Sequence, residues 1–210
     1  MEQNIAILMA DLSGYSALTE THGAVSAADL IDKYTGIVEG CLVGDCHLAE
    51  RTGDEVMIIS ASPDHLVSTA IMIMRNTSKE DNFLQVHGGL HYGNVLKRKD
   101  SYFGSTINVT SRIAAKASPG TFWCSEEFIN ALTDKSLFKF QSKGKHKFKN
   151  INEEKEIAEL NDEYRESFFV DPVCRMLILN KEIATKHPES EEIFFCSPAC
   201  LDIYQSMDKV

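Results

Sequence analysis

Residues 50–59, ERTGDEVMII, decide how this chain folds. The stretch from Glu55 to Ser60 is apolar and partly β-branched, which suits a half- or fully buried strand. A second strand is predicted over Cys46–Arg51, joined to the first through Thr52-Gly53-Asp54, a tight turn made possible by the glycine. Working outward, Ile5 to Ala10 is a short apolar run stopped by Asp11 and the turn residues Ser13 and Gly14, and reads as a buried strand. A helix is predicted from Ser26 to Gly40, with Leu30, Ile31, Tyr34, Ile37 and Val38 at helical spacing. After the hairpin, Pro63 sits in the favoured first turn of a helix reaching Asn76. A strand from Leu84 to His91 then leads through Gly93 to the basic hairpin Lys97-Arg98-Lys99. A third helix is predicted from Ser105 to Lys116, ended by Pro119-Gly120. Short strands and a small helix complete the region to Leu160.

The order βαββαβ defines an α+β, ferredoxin-like arrangement, with helices on one face of an antiparallel sheet. Two further segments are expected: a linker or short docking helix over residues 161–170, and a small Cys-containing module over 171–210. The net charge of −10 excludes broad nucleic-acid binding, which needs a positive face, but leaves a metal-assisted nucleotide site open. Residues 1–14 lack the basic start and long apolar run of a signal peptide, and no stretch is long enough to span a bilayer. The expected location is therefore cytoplasmic, away from membranes, with the six cysteines reduced. Cys41 and Cys46 are expected to pack; Cys174, Cys196 and Cys200 crowd into the tail.

Asp11 ends a buried strand and Asp54 sits in a glycine turn. Carboxylates so placed can share hard cations against a polyphosphate, although each alone also fits ordinary turn chemistry. Asn108 and Arg112, four apart, project from one helix face; a guanidinium suits phosphate and an amide suits a sugar oxygen. An isolated pair of this kind is more often a solvated polar face.

Together the stretches MADLSGYSAL, ERTGDEVMII, HGGLHYGNV and YFGSTINVTSRIAAKASPG resemble the class III adenylyl and guanylyl cyclase catalytic domain, over residues 1–160 and in the family's order. The resemblance implies a homodimer with active sites at the subunit interface, Mg2+ or Mn2+ as two ions per site, and a purine nucleoside triphosphate (GTP or ATP) as substrate. It assigns the metals to Asp11 and Asp54, ribose orientation to Asn108 and transition-state charge to Arg112, the last two from the second subunit. SKGKHKFKNINEEKEIAEL resembles the closing hairpin, where Lys149 best matches the family's lysine and Lys145 and Lys147 are rivals. The base-contacting positions fall on Glu50 and Ser101. An acidic Glu50 accepts from the adjacent N–H donors of guanine and repels adenine N1, which favours GTP.

DPVCRM and IFFCSPACLDIYQ resemble the small YHS domain. Cys174, Cys196 and Cys200 then become candidate ligands for Cu or Zn, with His187 as a fourth, or simply buried core thiols. Arg175 stands where that family usually has glycine. An active cyclase regulated by its tail, an inactive cyclase-fold sensor of nucleotide or heavy metal, and a metal-delivery protein on a dimeric platform all remain open at this stage.

Overall fold

The computed structural model describes residues 1–99, 101–161, 169–178 and 181–207. Strand β1 (Glu2–Ser13) leads into helix α1 (Tyr15–Gly40), the hairpin β2 (His47–Thr52) and β3 (Glu55–Ser60), and helix α2 (Pro63–Thr77). Strand β4 (Gln85–Arg98) turns into the short β5 (Ser101–Phe103), followed by α3 (Ser105–Ala114), β6 (Phe122–Ser125) and α4 (Glu126–Asn130). The antiparallel pair β7 (Lys139–His146) and β8 (Lys155–Asn161) closes the main sheet.

The sheet order is β2-β3-β1-β4-β6-β8-β7, with β5 paired to β4. Its first four strands have the ferredoxin-like order. The β4–β6 pair is parallel, because helix α3 crosses between them, so the sheet is antiparallel-rich and not purely antiparallel.

Alternation along β1 explains its unbroken apolar run. Ala6, Leu8, Ala10 and Leu12 face α1 and α2 through Leu30, Tyr34, Leu66 and Ile73, while Ile5, Ile7 and Met9 face the other side with Met57, Ile59, Val95 and Ala114 of α3. Helices therefore cover both faces, which corrects the one-face expectation: α1 and α2 lie on one face and α3 on the other. Each fully buried Leu or Ile here contributes about 1.5–3 kcal/mol. The approach of α3 depends on Gly89, where a Cβ would lie 2.4 Å from the Ala114 nitrogen and 2.8 Å from the Thr110 carbonyl.

Helix α1 starts eleven residues before the predicted Ser26, and is broken at Gly23 (φ 81, ψ 171). The first piece, Tyr15 to His22, buries only Leu18 and so carries no periodicity to read. Strand β4 runs past Gly93 instead of ending at His91.

The tail consists of two two-stranded sheets, β9 (Phe169–Val170) with β10 (Leu177–Ile178) and β11 (Thr185–Lys186) with β12 (Phe194–Phe195), then helix α5 (Pro198–Met207). Phe169 and Val170, at the end of the expected linker, pair with Leu177 and Ile178 of the tail. Of the expected linker, Asn161 ends β8, and residues 162–168 lie outside the described residues. The tail docks on the first domain. The amide of Asn82 donates to the Leu177 carbonyl (2.9 Å), Leu84 bridges to Met176, and the Arg175 side chain covers Gly14. Among the described residues no helix is long and apolar enough to cross a membrane.

Candidate active site

The β1–β3 ladder (Ala10 opposite Val56) carries the β2–β3 turn to the end of β1 and so brings Asp54 to Asp11. Gly53 adopts φ 64 in that two-residue turn, a conformation glycine reaches without strain, and leaves Asp54 at its outer corner. Asp11 Oδ1 accepts from the Leu12 amide at 3.0 Å, which fixes its carboxylate. Burial, then the adjoining Asp11 carboxyl through hydrogen bonding and charge, push Asp54 up to about 7. Two carboxylates this close cannot both ionise cheaply unless positive charge joins them.

The surroundings add more negative charge. The Glu55 carboxyl is pushed up by burial and by Asp54 and Glu50, and the Tyr34 hydroxyl by burial and by Asp11, Asp54 and Glu55. Tyr34 is buried and its hydroxyl has no hydrogen-bond partner among the described residues. Paired carboxylates, with Glu55 and Glu50 adding negative charge around them, are an oxygen donor set that fits hard divalent cations.

His87, not singled out in the sequence, belongs to this site. It stands opposite Asp11 on β4, exchanges a hydrogen bond with Ser13 Oγ (2.8 Å) and faces the Asp54 charge. Burial nevertheless holds its ring below the ordinary histidine value, toward the neutral form. Although it opens the HGGLHYGNV stretch, only the strand register places it against Asp11.

Asn108 and Arg112 are exposed on one face of α3 and make no hydrogen bond or ion pair within the described chain. Asp11 and Asp54 are thus brought together, whereas Asn108 and Arg112 form a separate exposed pair. Glu50 lies on β2, close enough to act on Glu55, while Ser101 is exposed on β5 opposite Arg98. Among the three lysines, Lys145 pairs with Glu156 (3.7 Å) and Lys147 donates to the Asn152 carbonyl. Lys149 is exposed in the β7–β8 turn, next to Asn150 at φ 65, and is free of partners among the described residues.

The pattern of the family described as "Adenylate and Guanylate cyclase catalytic domain" matches residues 1–159. The chain belongs to that family. The cyclase domain is 33% identical over 126 residues to an uncharacterized protein of Mycobacterium tuberculosis, covering 60% of this chain and 33% of that protein. It is 28% identical over 134 residues to an adenylate cyclase of Glutamicibacter nicotianae, covering 63% of this chain and 33% of that protein. The match thus spans about a third of the length of these curated relatives. In fold it is similar to the adenylyl cyclase CyaB of P. aeruginosa (TM-score 0.67, 16% identity, 79% of this chain and 97% of that one). It is also similar to the guanylate cyclase domain of RhGC from Catenaria anguillulae, solved with GTP (TM-score 0.65, 16% identity, 77% and 98%).

The tail cysteines also meet. Cys174 Sγ lies 3.5 Å from Cys196 Sγ, which lies 3.6 Å from Cys200 Sγ. His187 is not with them; its ring packs on Phe195 and Tyr204, and it accepts from the Glu189 amide. The histidine beside the sulfurs is His22 of α1, which nothing in the spacing of the sequence marks. Cys41 and Cys46 are buried in the main core, as expected.

Proposed function

We propose that the chain cyclises a purine nucleoside triphosphate to its 3′,5′-cyclic monophosphate, at sites shared between two copies of the chain. The contact between Asp11 and Asp54 is the observation that carries this reading. In the reaction the ribose 3′-oxygen attacks the α-phosphorus, the bond from that phosphorus to the bridging oxygen breaks, and pyrophosphate leaves. The hydroxyl proton passes to solvent. Asp11 and Asp54 would hold Mg2+ or Mn2+, whose charge eases ionisation of the hydroxyl and neutralises the polyphosphate.

The chain's own residues supply the rest. Asn108 of a second copy orients the ribose, and Arg112 of that copy offers a planar cation to the charge that builds on the phosphate oxygens. Their exposure and lack of partners support this division of the site between copies. Lys149, the unpaired lysine of the closing hairpin, is assigned to the triphosphate. His87, held neutral, keeps the Asp11 end of β1 in place through Ser13.

GTP is favoured over ATP because the Glu50 carboxylate matches the N–H edge of guanine. The opposite preference draws support from the relatives named adenylate cyclases. Turnover with each triphosphate and Mn2+ decides the matter, with Asp54→Asn as the control. Cyclic product that disappears in Asp54→Asn supports catalysis. No product from the unaltered chain with either nucleotide would leave a non-catalytic nucleotide sensor as the reading.

A further inference from the structure

Sequence alone put three cysteines in the tail; the fold adds His22, from the other end of the chain. One ligand atom from each of His22, Cys174, Cys196 and Cys200 lies within 4.8 Å of all the others. His22 Nε2 is 3.6 Å from both Cys196 Sγ and Cys200 Sγ. A tetrahedral zinc ion with ordinary bond lengths requires edges of about 3.8 Å between sulfurs and about 3.6 Å from sulfur to nitrogen. The observed edges of 3.5, 3.6, 3.6 and 3.6 Å approach that figure before any ion is placed.

The supports around these atoms are built as well. Asp171, fully buried, accepts from the Val173 and Cys174 amides through Oδ1 (2.8 and 3.1 Å) and from the Cys196 amide through Oδ2 (2.7 Å). One carboxylate thereby ties together the two loops that carry the first two sulfurs. Ser197 Oγ accepts from the Cys200 amide at 3.4 Å. His22 is the last residue before the Gly23 break in α1, where the chain leaves helical geometry. The tail's sulfur-centred cluster buries Cys174, Phe195 and Cys200, with Leu177, Ile178 and Phe194 also buried, and each of its strands is two residues long. Modules of this size commonly depend on a metal for their fold.

We propose that Cys174, Cys196, Cys200 and His22 form one zinc site, in which the cyclase domain supplies the fourth ligand and the ion clips the tail onto α1. Three thiolates and one imidazole in tetrahedral array select zinc over copper(I), which thiolates alone would satisfy. The clip sits close to the catalytic end of β1. Arg175, the residue after Cys174, covers Gly14, three residues beyond Asp11. This inference does not depend on the cyclisation reaction, and its test reads metal and not turnover.

The test uses the full chain, purified under reducing conditions, stripped with chelator and titrated with Zn2+ alone. One equivalent should bind tightly, and Co2+ in its place should show the intense ligand-field absorption of a tetrahedral thiolate site. His22→Ala, which removes a direct ligand, should weaken zinc affinity by more than the roughly 10- to 100-fold that loss of an outer-shell partner costs, and His22→Cys, which restores a donor, should recover it. Since Cys196→Ser risks unfolding the tail, the His22 pair carries the test; α1 is held independently by Leu30, Tyr34 and Val38 in the main core. Hydrogen exchange should slow on zinc addition both in the tail and around residues 14–23, and only in the presence of His22. Zinc bound with equal affinity in the native chain and in His22→Ala would overturn the proposal, as would a stripped chain that takes up no zinc.

Discussion

Asp11 and Asp54 lie within hydrogen-bonding reach of one another where β1 meets the β2–β3 turn, and Asp54 is pushed up to about 7 from an ordinary value of 3.8. The raised value has a defined sign for stability. Between about pH 4 and pH 7 the folded chain holds a proton that the unfolded chain has released. The contribution of this group is therefore whole below the unfolded value and is lost as pH rises through the folded one. Calorimetry without divalent cations should show Tm falling across that window. Mg2+ or Mn2+ should offset the fall most at the upper end, where the pair is ionised, and Asp54→Asn should flatten the metal-free profile. A slope unchanged in Asp54→Asn would contradict the pairing.

Packing gives a second expectation, on stability alone. Gly89→Ala forces a methyl group against the backbone of α3, at distances no side-chain adjustment relieves, and should cost about 1–3 kcal/mol. Gly36→Ala in α1 meets nothing within 4 Å at an ordinary helical position, and should stabilise by about 0.4–1 kcal/mol. Urea midpoints for the two variants should move in opposite directions. A Gly89→Ala midpoint that does not fall would mean that α3 does not approach the sheet as described.

Base selection is tested by exchanging its chemistry. Glu50→Lys with Ser101→Asp replaces an acceptor by a donor on β2, and should swing the kcat/KM ratio toward ATP by tenfold or more, on the scale of about 1.5–3 kcal/mol for a charged hydrogen bond. Both positions are exposed, so the fold should tolerate the change. An unaltered ratio would remove these residues from the base site.

How much of this could be read from the residues depended on range. The Asp54 turn was legible because a glycine between two apolar runs fixes a hairpin locally, and Asn108 with Arg112 because helical spacing is local too. His87 was not, since its place opposite Asp11 follows from the β1–β4 ladder, and its partner Ser13 lies 74 residues away in the chain. His22 was hidden for the same reason, and more so because the first piece of α1 has one buried apolar residue and then a break. Arg175 explains itself only in the structure. At φ 69 it occupies left-handed backbone, the conformation for which the YHS resemblance expects glycine, and its side chain is used to cover Gly14.

The most direct test of the central claim, that Asp11 and Asp54 of one copy work with Asn108 and Arg112 of another, is subunit mixing. Asp54→Asn and Arg112→Ala are prepared separately, and each should lose activity by about 10²-fold or more while keeping its fold. Mixed in equal amounts and allowed to exchange, half of the dimers carry one intact site of two, so cyclisation should return to about a quarter of the native rate. Activity that stays at the level of the separate variants, with mixed dimers demonstrated by mass, would contradict a site shared between copies.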